Sequence, residues 1–122
     1  MSKGVHPDPT IFDLLRENAL ADNDVLHKKD AMGDLFDRSR DVDFAFKTPE
    51  AMRAEDLCKY LKGMNFGTPF VREGEDGVYW VITVIHMPIN QPVICSVSAF
   101  MVCLSRLFGV DFDGWGSVVQ SS

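Results

Sequence analysis

His86 is the residue best placed to do chemistry. It ends a β-branched and aromatic run from Val78 to Met87, where it could act with Asp111 or Asp113 as an acid–base pair. No nucleophile motif and no glycine-rich phosphate loop accompanies it, so the sequence favours a polar side chain satisfied at a strand end. Cys58, Cys95 and Cys103 lack Cys-x-x-Cys spacing, and His6, His27 and His86 lie far apart, so no zinc-ligand set is legible. Three thiols cannot all pair within one chain, and buried cysteines act as small apolar residues. Glu73, Glu75 and Asp76 cluster where a hairpin loop is expected, and such loops are usually just solvated. The expectation is a protein that is not an enzyme and carries no metal or cofactor.

The elements that must hold these residues follow from composition and periodicity. At 122 residues and 46% hydrophobic content, the chain suits one compact body with a real core. Met1 to Pro9 reads as a loose leader without the apolar stretch of a signal peptide, and no run approaches the length of a membrane span, so a cytoplasmic location is expected. The formal charge of −6 opposes a phosphate backbone and favours a basic protein partner over RNA.

Thr10 with Asp13 makes a capping-box-like start, and Phe12, Leu15 and Ala19 follow at helical spacing to about Leu20. Ala21 to Asp41 reads as a polar connection, so residues 1–41 form an N-terminal helix plus linker and 42–122 form the main domain. Val42 to Lys47 alternates as a strand. Thr48-Pro49-Glu50 opens a helix with Thr48 as its cap, carrying an apolar stripe of Ala51, Ala54, Leu57, Cys58 and Leu61. Asn65 turns the chain into a strand from Phe66 to Glu73, and the Gly74–Gly77 loop leads to Val78–Met87, which is apolar on both faces and therefore central. A second helix begins near Pro92, with Val93, Val97, Phe100, Leu104 and Leu107 as its stripe, and ends at Gly109. Val110 to Val119 is the last strand, with a bulge expected at Asp113-Gly114-Trp115-Gly116. Met52 and Met64 read as core fillers.

This βαββαβ order predicts an α+β, ferredoxin-like sandwich: a four-stranded antiparallel sheet with two helices on one face, plus the N-terminal helix. A central strand apolar on both sides then needs cover on the other face from the N-terminal helix, a second copy or a partner.

Asp111-Phe112-Asp113-Gly114-Trp115-Gly116, following a helix that ends at Gly109, resembles the Tyr-Asp-Gly-Trp-Gly ending of the regulator of ribonuclease E activity B family. Arg40-Asp41-Val42-Asp43-Phe44 and the Asn65-Phe66 turn are similar to the same family. The resemblance implies a non-catalytic inhibitor whose protein partner is ribonuclease E, without direct nucleic-acid contact. The second helix departs from it, because Ile94, Cys95, Ala99, Val102 and Cys103 stand where relatives tend to carry Glu, Lys and Asn. Ile94, Ala99, Val102, Asp113 and Trp115 are accordingly the expected partner-binding residues. Trp115 reads equally well as an exposed anchor or as packing over the sheet edge. The alternative function is a small-molecule-binding or enzymatic dimer of the same fold, and homo-oligomers are compatible with either reading.

Overall fold

The structure, a computed structural model, describes residues 9–121; the expected leader, apart from Pro9, lies outside the described residues. In chain order the elements are α1 (Ile11–Ala31), β1 (Arg40–Thr48), α2 (Ala51–Gly63), β2 (Thr68–Glu73), a 3₁₀ turn (Glu75–Gly77), β3 (Tyr79–Met87), α3 (Gln91–Phe108) and β4 (Asp111–Ser117). The strands form one antiparallel sheet in the order β2-β3-β1-β4, so β1 and β3 are central as the sequence predicts.

The register divides each strand between two environments. Val42, Phe44 and Phe46 of β1 are fully buried, and they pair with Ile85, Thr83 and Val81 of β3. Helices α2 and α3 cover this face, with Leu57, Leu61, Ile94, Met101 and Leu104 completing the core. Removing a large apolar side chain from water contributes about 1.5–3 kcal/mol, so the three β1 residues alone anchor the fold strongly.

The turns follow local chemistry. Asn65 takes the left-handed conformation at φ 59°, and Gly109 closes α3 at φ 67° with its N–H donating to the Ser105 carbonyl. Asp76 and Gly77 both have positive φ, as the Asp-Gly pair anticipates. The bulge forms where expected: Phe46 pairs with Phe112 and Ala45 with Gly114, which leaves Asp113 as the extra residue.

Four expectations need correction. The region from Ala21 onward is helix to Ala31 rather than an open connection, because Asp22, Leu26 and Lys29 fall on one face and find partners in distant elements. Thr48 ends β1 instead of capping α2; Glu50 takes the cap position, and the Thr48 hydroxyl accepts the Glu50 N–H at 3.2 Å. The buried side of α3 is turned from the expected stripe, with Ile94, Ser98, Met101, Val102, Leu104 and Ser105 inside while Leu107 is 79% exposed. Met52 and Met64 are exposed rather than core.

The rotation of α3 follows from its position between the sheet and α1. Its mean hydropathy of 1.5 matches a membrane span by length and composition. Packing on two sides, against the sheet and against α1, supplies a different cause for that apolarity, since each covered side of a helix is apolar.

Candidate functional site

Two seams decide what this protein leaves open. The first lies between α1, α3 and β4, and it is polar at its centre. Asp22, 3% exposed, accepts from the Trp115 indole N–H at 2.9 Å and the Ser98 hydroxyl at 3.1 Å through one oxygen, and from the Asn18 amide at 3.3 Å through the other. Burial pushes the Asp22 carboxyl above its ordinary value, with the Trp115, Ser98 and Cys95 hydrogen bonds opposing the shift. Burial and the neighbouring carboxylate push the Cys95 thiol up as well, away from reactive thiolate.

At the end of α1 lies a second buried cluster. Arg40 donates to Asp34 at 2.6 Å, to the Leu35 carbonyl at 2.7 Å and to the Val118 carbonyl at 3.2 Å. Lys29 reaches the Ser117 carbonyl at 2.8 Å, and burial lowers its ammonium pKa more than Asp34 restores it. This cluster ties the end of α1, the start of β1 and the segment after β4 into one knot.

These seams place the expected partner residues. Ile94 and Val102 are 0% and 4% exposed, so these two side chains are already covered by the chain itself. Ala99 is half-buried at the rim of a groove with Ala19, Asn23 and Cys95. Trp115 is half-buried with its indole engaged by Asp22, which favours the packing alternative. Asp113 alone among the five is exposed, on the opposite face, where it pairs with Lys47 at 3.3 Å.

That opposite face is the open one. On β3 it presents Trp80, Ile82 and Val84, which lie level with Arg72, Phe70 and Thr68 of β2. On the other side, Lys47, Ala45 and Asp43 of β1 lie level with the same three β3 residues. Gly114 and Gly116 of β4 extend the Ala45 and Asp43 levels. The result is an apolar ridge over β2 and β3 beside a shelf of small residues, with Phe70 45% exposed. Lys47 spans the two, with its ammonium 5.9 Å from the Trp80 ring centroid. Asp41 and Asp43 close one end.

His86 does not meet Asp111 or Asp113. Its Nδ1 lies 3.0 Å from Asp41, at the end of the face remote from β4's bulge, and both side chains are exposed. An open hollow of about 540 Å³ adjoins this pair, lined by Asn65, Thr68, Phe70 and Val84 among others. The Thr68 hydroxyl and the Asn65 amide lie in the same lining, but among the described residues the only side-chain hydrogen bond of His86 is to Asp41. Among the described residues, no three His, Cys, Asp or Glu side chains converge as a metal site would require.

Phe70, Ile82, Val84, Asp41 and Asp43 were not singled out from sequence. The doubly apolar β3 announced that a second face existed, but the pairing register alone assigns residues of β1, β2 and β4 to it. The Asp22 seam was missed because polar residues at core positions interrupt the apolar periodicity of α1.

A family model described as regulator of ribonuclease activity B matches residues 20–117, from the middle of α1 through β4. No curated protein matches the chain.

Proposed function

Because the chain belongs to the regulator of ribonuclease activity B family, we propose that it is a non-catalytic, cytoplasmic inhibitor of ribonuclease E, acting by covering part of that protein. The observation that carries this reading is the uncovered sheet face, where Phe70, Trp80, Ile82 and Val84 form an apolar ridge on an otherwise acidic protein. Exposed apolar strips rimmed by polar groups mark association surfaces, and aromatic residues dominate their energetics. The net charge of −6 assists encounter with a basic partner and makes the association rate sensitive to salt.

The mechanism asks nothing of the residues beyond binding. The ridge supplies buried area, Asp41 and Asp43 set orientation, and the His86–Asp41 pair at the rim takes no part in bond making. Inhibition then arises from occupancy of a ribonuclease surface, with RNA turnover altered indirectly.

The test is cleavage of a model RNA by purified ribonuclease E, with wild type and Phe70→Asp added in molar excess. The wild type should slow cleavage, and Phe70→Asp should bind at least about tenfold more weakly, the order expected when an interface aromatic is lost. Phe70 lies on an edge strand and is already 45% exposed, so the variant should melt close to wild type. A wild-type chain that neither binds the ribonuclease nor changes its rate would end this reading.

A further inference from the structure

We propose that the knot joining the end of α1, the start of β1 and the end of β4 is a binding site for one internal water molecule, held between the Lys29 ammonium, the Oδ2 oxygen of Asp34 and the Ser117 hydroxyl. The inference stands apart from the inhibitor reading, since it concerns how α1 is fastened and not what the sheet face meets.

Among the described residues, three buried side-chain atoms make no hydrogen bond within the chain: Asp34 Oδ2, Ser117 Oγ and Asn90 Oδ1. Two of these three belong to the residues that flank one ammonium. Lys29 Nζ donates to the Ser117 carbonyl at 2.8 Å and stands 3.9 Å from Asp34 Oδ2. The second distance is too long for a direct bond, because N–H···O bonds close at about 2.7–3.2 Å.

The donors and acceptors around this gap do not balance within the chain. Asp34 Oδ1 accepts from Arg40 at 2.6 Å and from the Gln120 N–H at 3.3 Å, while its second oxygen takes nothing. An ammonium has three N–H bonds, and among the described residues the Lys29 ammonium makes one hydrogen bond, to the Ser117 carbonyl. The Lys29 and Asp34 side chains are 8% and 0% exposed, so bulk solvent does not serve them. A buried donor and acceptor held just beyond bonding reach are the setting in which a water bridges, and a buried water makes about three hydrogen bonds to groups of this kind. Closing Lys29 directly onto Asp34 would satisfy the carboxylate but leave the Ser117 hydroxyl without a partner. One water serves all three.

The surrounding charges select a neutral occupant. A cation would face the Lys29 ammonium and the Arg40 guanidinium, which already lies 2.6 Å from Asp34. An anion would face the lone pairs of the Asp34 carboxylate. The occupant must accept from Lys29, donate to Asp34 and fit between heavy atoms 3.9 Å apart, and water meets all three requirements. It then links the segment after α1 to the last residue of β4 at a point where no side chain of the chain itself does so.

Crystals of the full chain that resolve ordered solvent test the position. Oxygen-17 relaxation dispersion of the solvent tests the residence in solution, because it senses only intact water molecules held for longer than the protein takes to tumble. The expected result is one solvent peak within hydrogen-bond distance of Lys29 Nζ, Asp34 Oδ2 and Ser117 Oγ, with a dispersion in wild type from which one molecule is lost in Ser117→Ala. That variant removes a single hydroxyl at the end of β4, and an unchanged circular dichroism spectrum verifies that it is folded. Lys29 Nζ bonded directly to Asp34 Oδ2 with no density between them overturns the proposal. So does the same dispersion in wild type and Ser117→Ala. An anomalous signal at the peak in crystals soaked with rubidium or bromide assigns the site to an ion and overturns it as well.

Discussion

Replacing Asp22 by alanine should loosen α1 from the rest of the protein, whereas replacing it by asparagine should not. Alanine strands the Trp115 indole N–H and the Ser98 hydroxyl, which now donate to Asp22 at 2.9 and 3.1 Å. A buried donor left without its acceptor costs about 1–3 kcal/mol, and relief of carboxylate desolvation offsets part of the sum, so a net loss of about 2–4 kcal/mol follows. For a chain of this size that lowers the melting temperature by about 8–16 °C. Asparagine keeps an oxygen for the Trp115 and Ser98 donors and sheds the charge, and the Asn18 amide it displaces at 3.3 Å still has the Ser98 hydroxyl at 2.7 Å, so the variant should stay within about 1 kcal/mol of wild type at neutral pH.

The pH dependence supplies the sharper check. Burial holds the Asp22 carboxyl above its ordinary 3.8, so the folded protein binds this proton more tightly than the unfolded chain. The resulting stabilisation is fully present below 3.8 and is lost as the pH rises through the folded value. Wild type should therefore gain on Asp22→Asn as the pH is lowered from neutrality. Urea unfolding followed by tryptophan fluorescence at constant ionic strength measures both quantities. An asparagine variant as unstable as the alanine one, or a difference between wild type and Asp22→Asn that ignores pH, would refute the idea that a buried, neutral-preferring acceptor holds this seam.

Arg40→Ala should be more damaging, costing about 3–5 kcal/mol in the same assay, because it leaves Asp34 buried with only the distant Lys29 ammonium at 3.9 Å and the Gln120 N–H at 3.3 Å. Arg40→Lys should recover little of this, since a single ammonium cannot replace the fork that reaches Asp34, Leu35, Arg38 and Val118. Gly67→Ala should lose at least about 1–3 kcal/mol in backbone strain, because φ is +81° and the added Cβ would stand 2.5 Å from the Val84 carbonyl oxygen. Equal urea midpoints for Gly67→Ala and wild type would contradict that geometry.

Much of the fold was legible because its causes are local. Period-two alternation in Val42 to Lys47 marks β1, and the doubly apolar Val78 to Met87 marks a central strand. Asn65, Asp76-Gly77 and Gly109 mark positions where the backbone turns left-handed, and these residue types tolerate it. The Phe-Asp-Gly-Trp-Gly segment carried the family resemblance that the match over residues 20–117 then established.

The path of α1 was not legible, and neither was the working face. Asp22 and Lys29 look like surface residues in any local window; they are buried here only because Ser98, Trp115 and Ser117 come to them from 76 to 93 positions away. The same packing reverses the reading of α3. An apolar side at Ile94 and Val102 signals an interface in the sequence, and the sequence cannot say that Ile94 joins the core and that Val102 is covered within the same chain. Local preference and periodicity determine which segments are helix or strand and which side of each is apolar. Which apolar side meets another part of the same chain, and which is left for a partner, depends on long-range register and packing that only the tertiary structure decides.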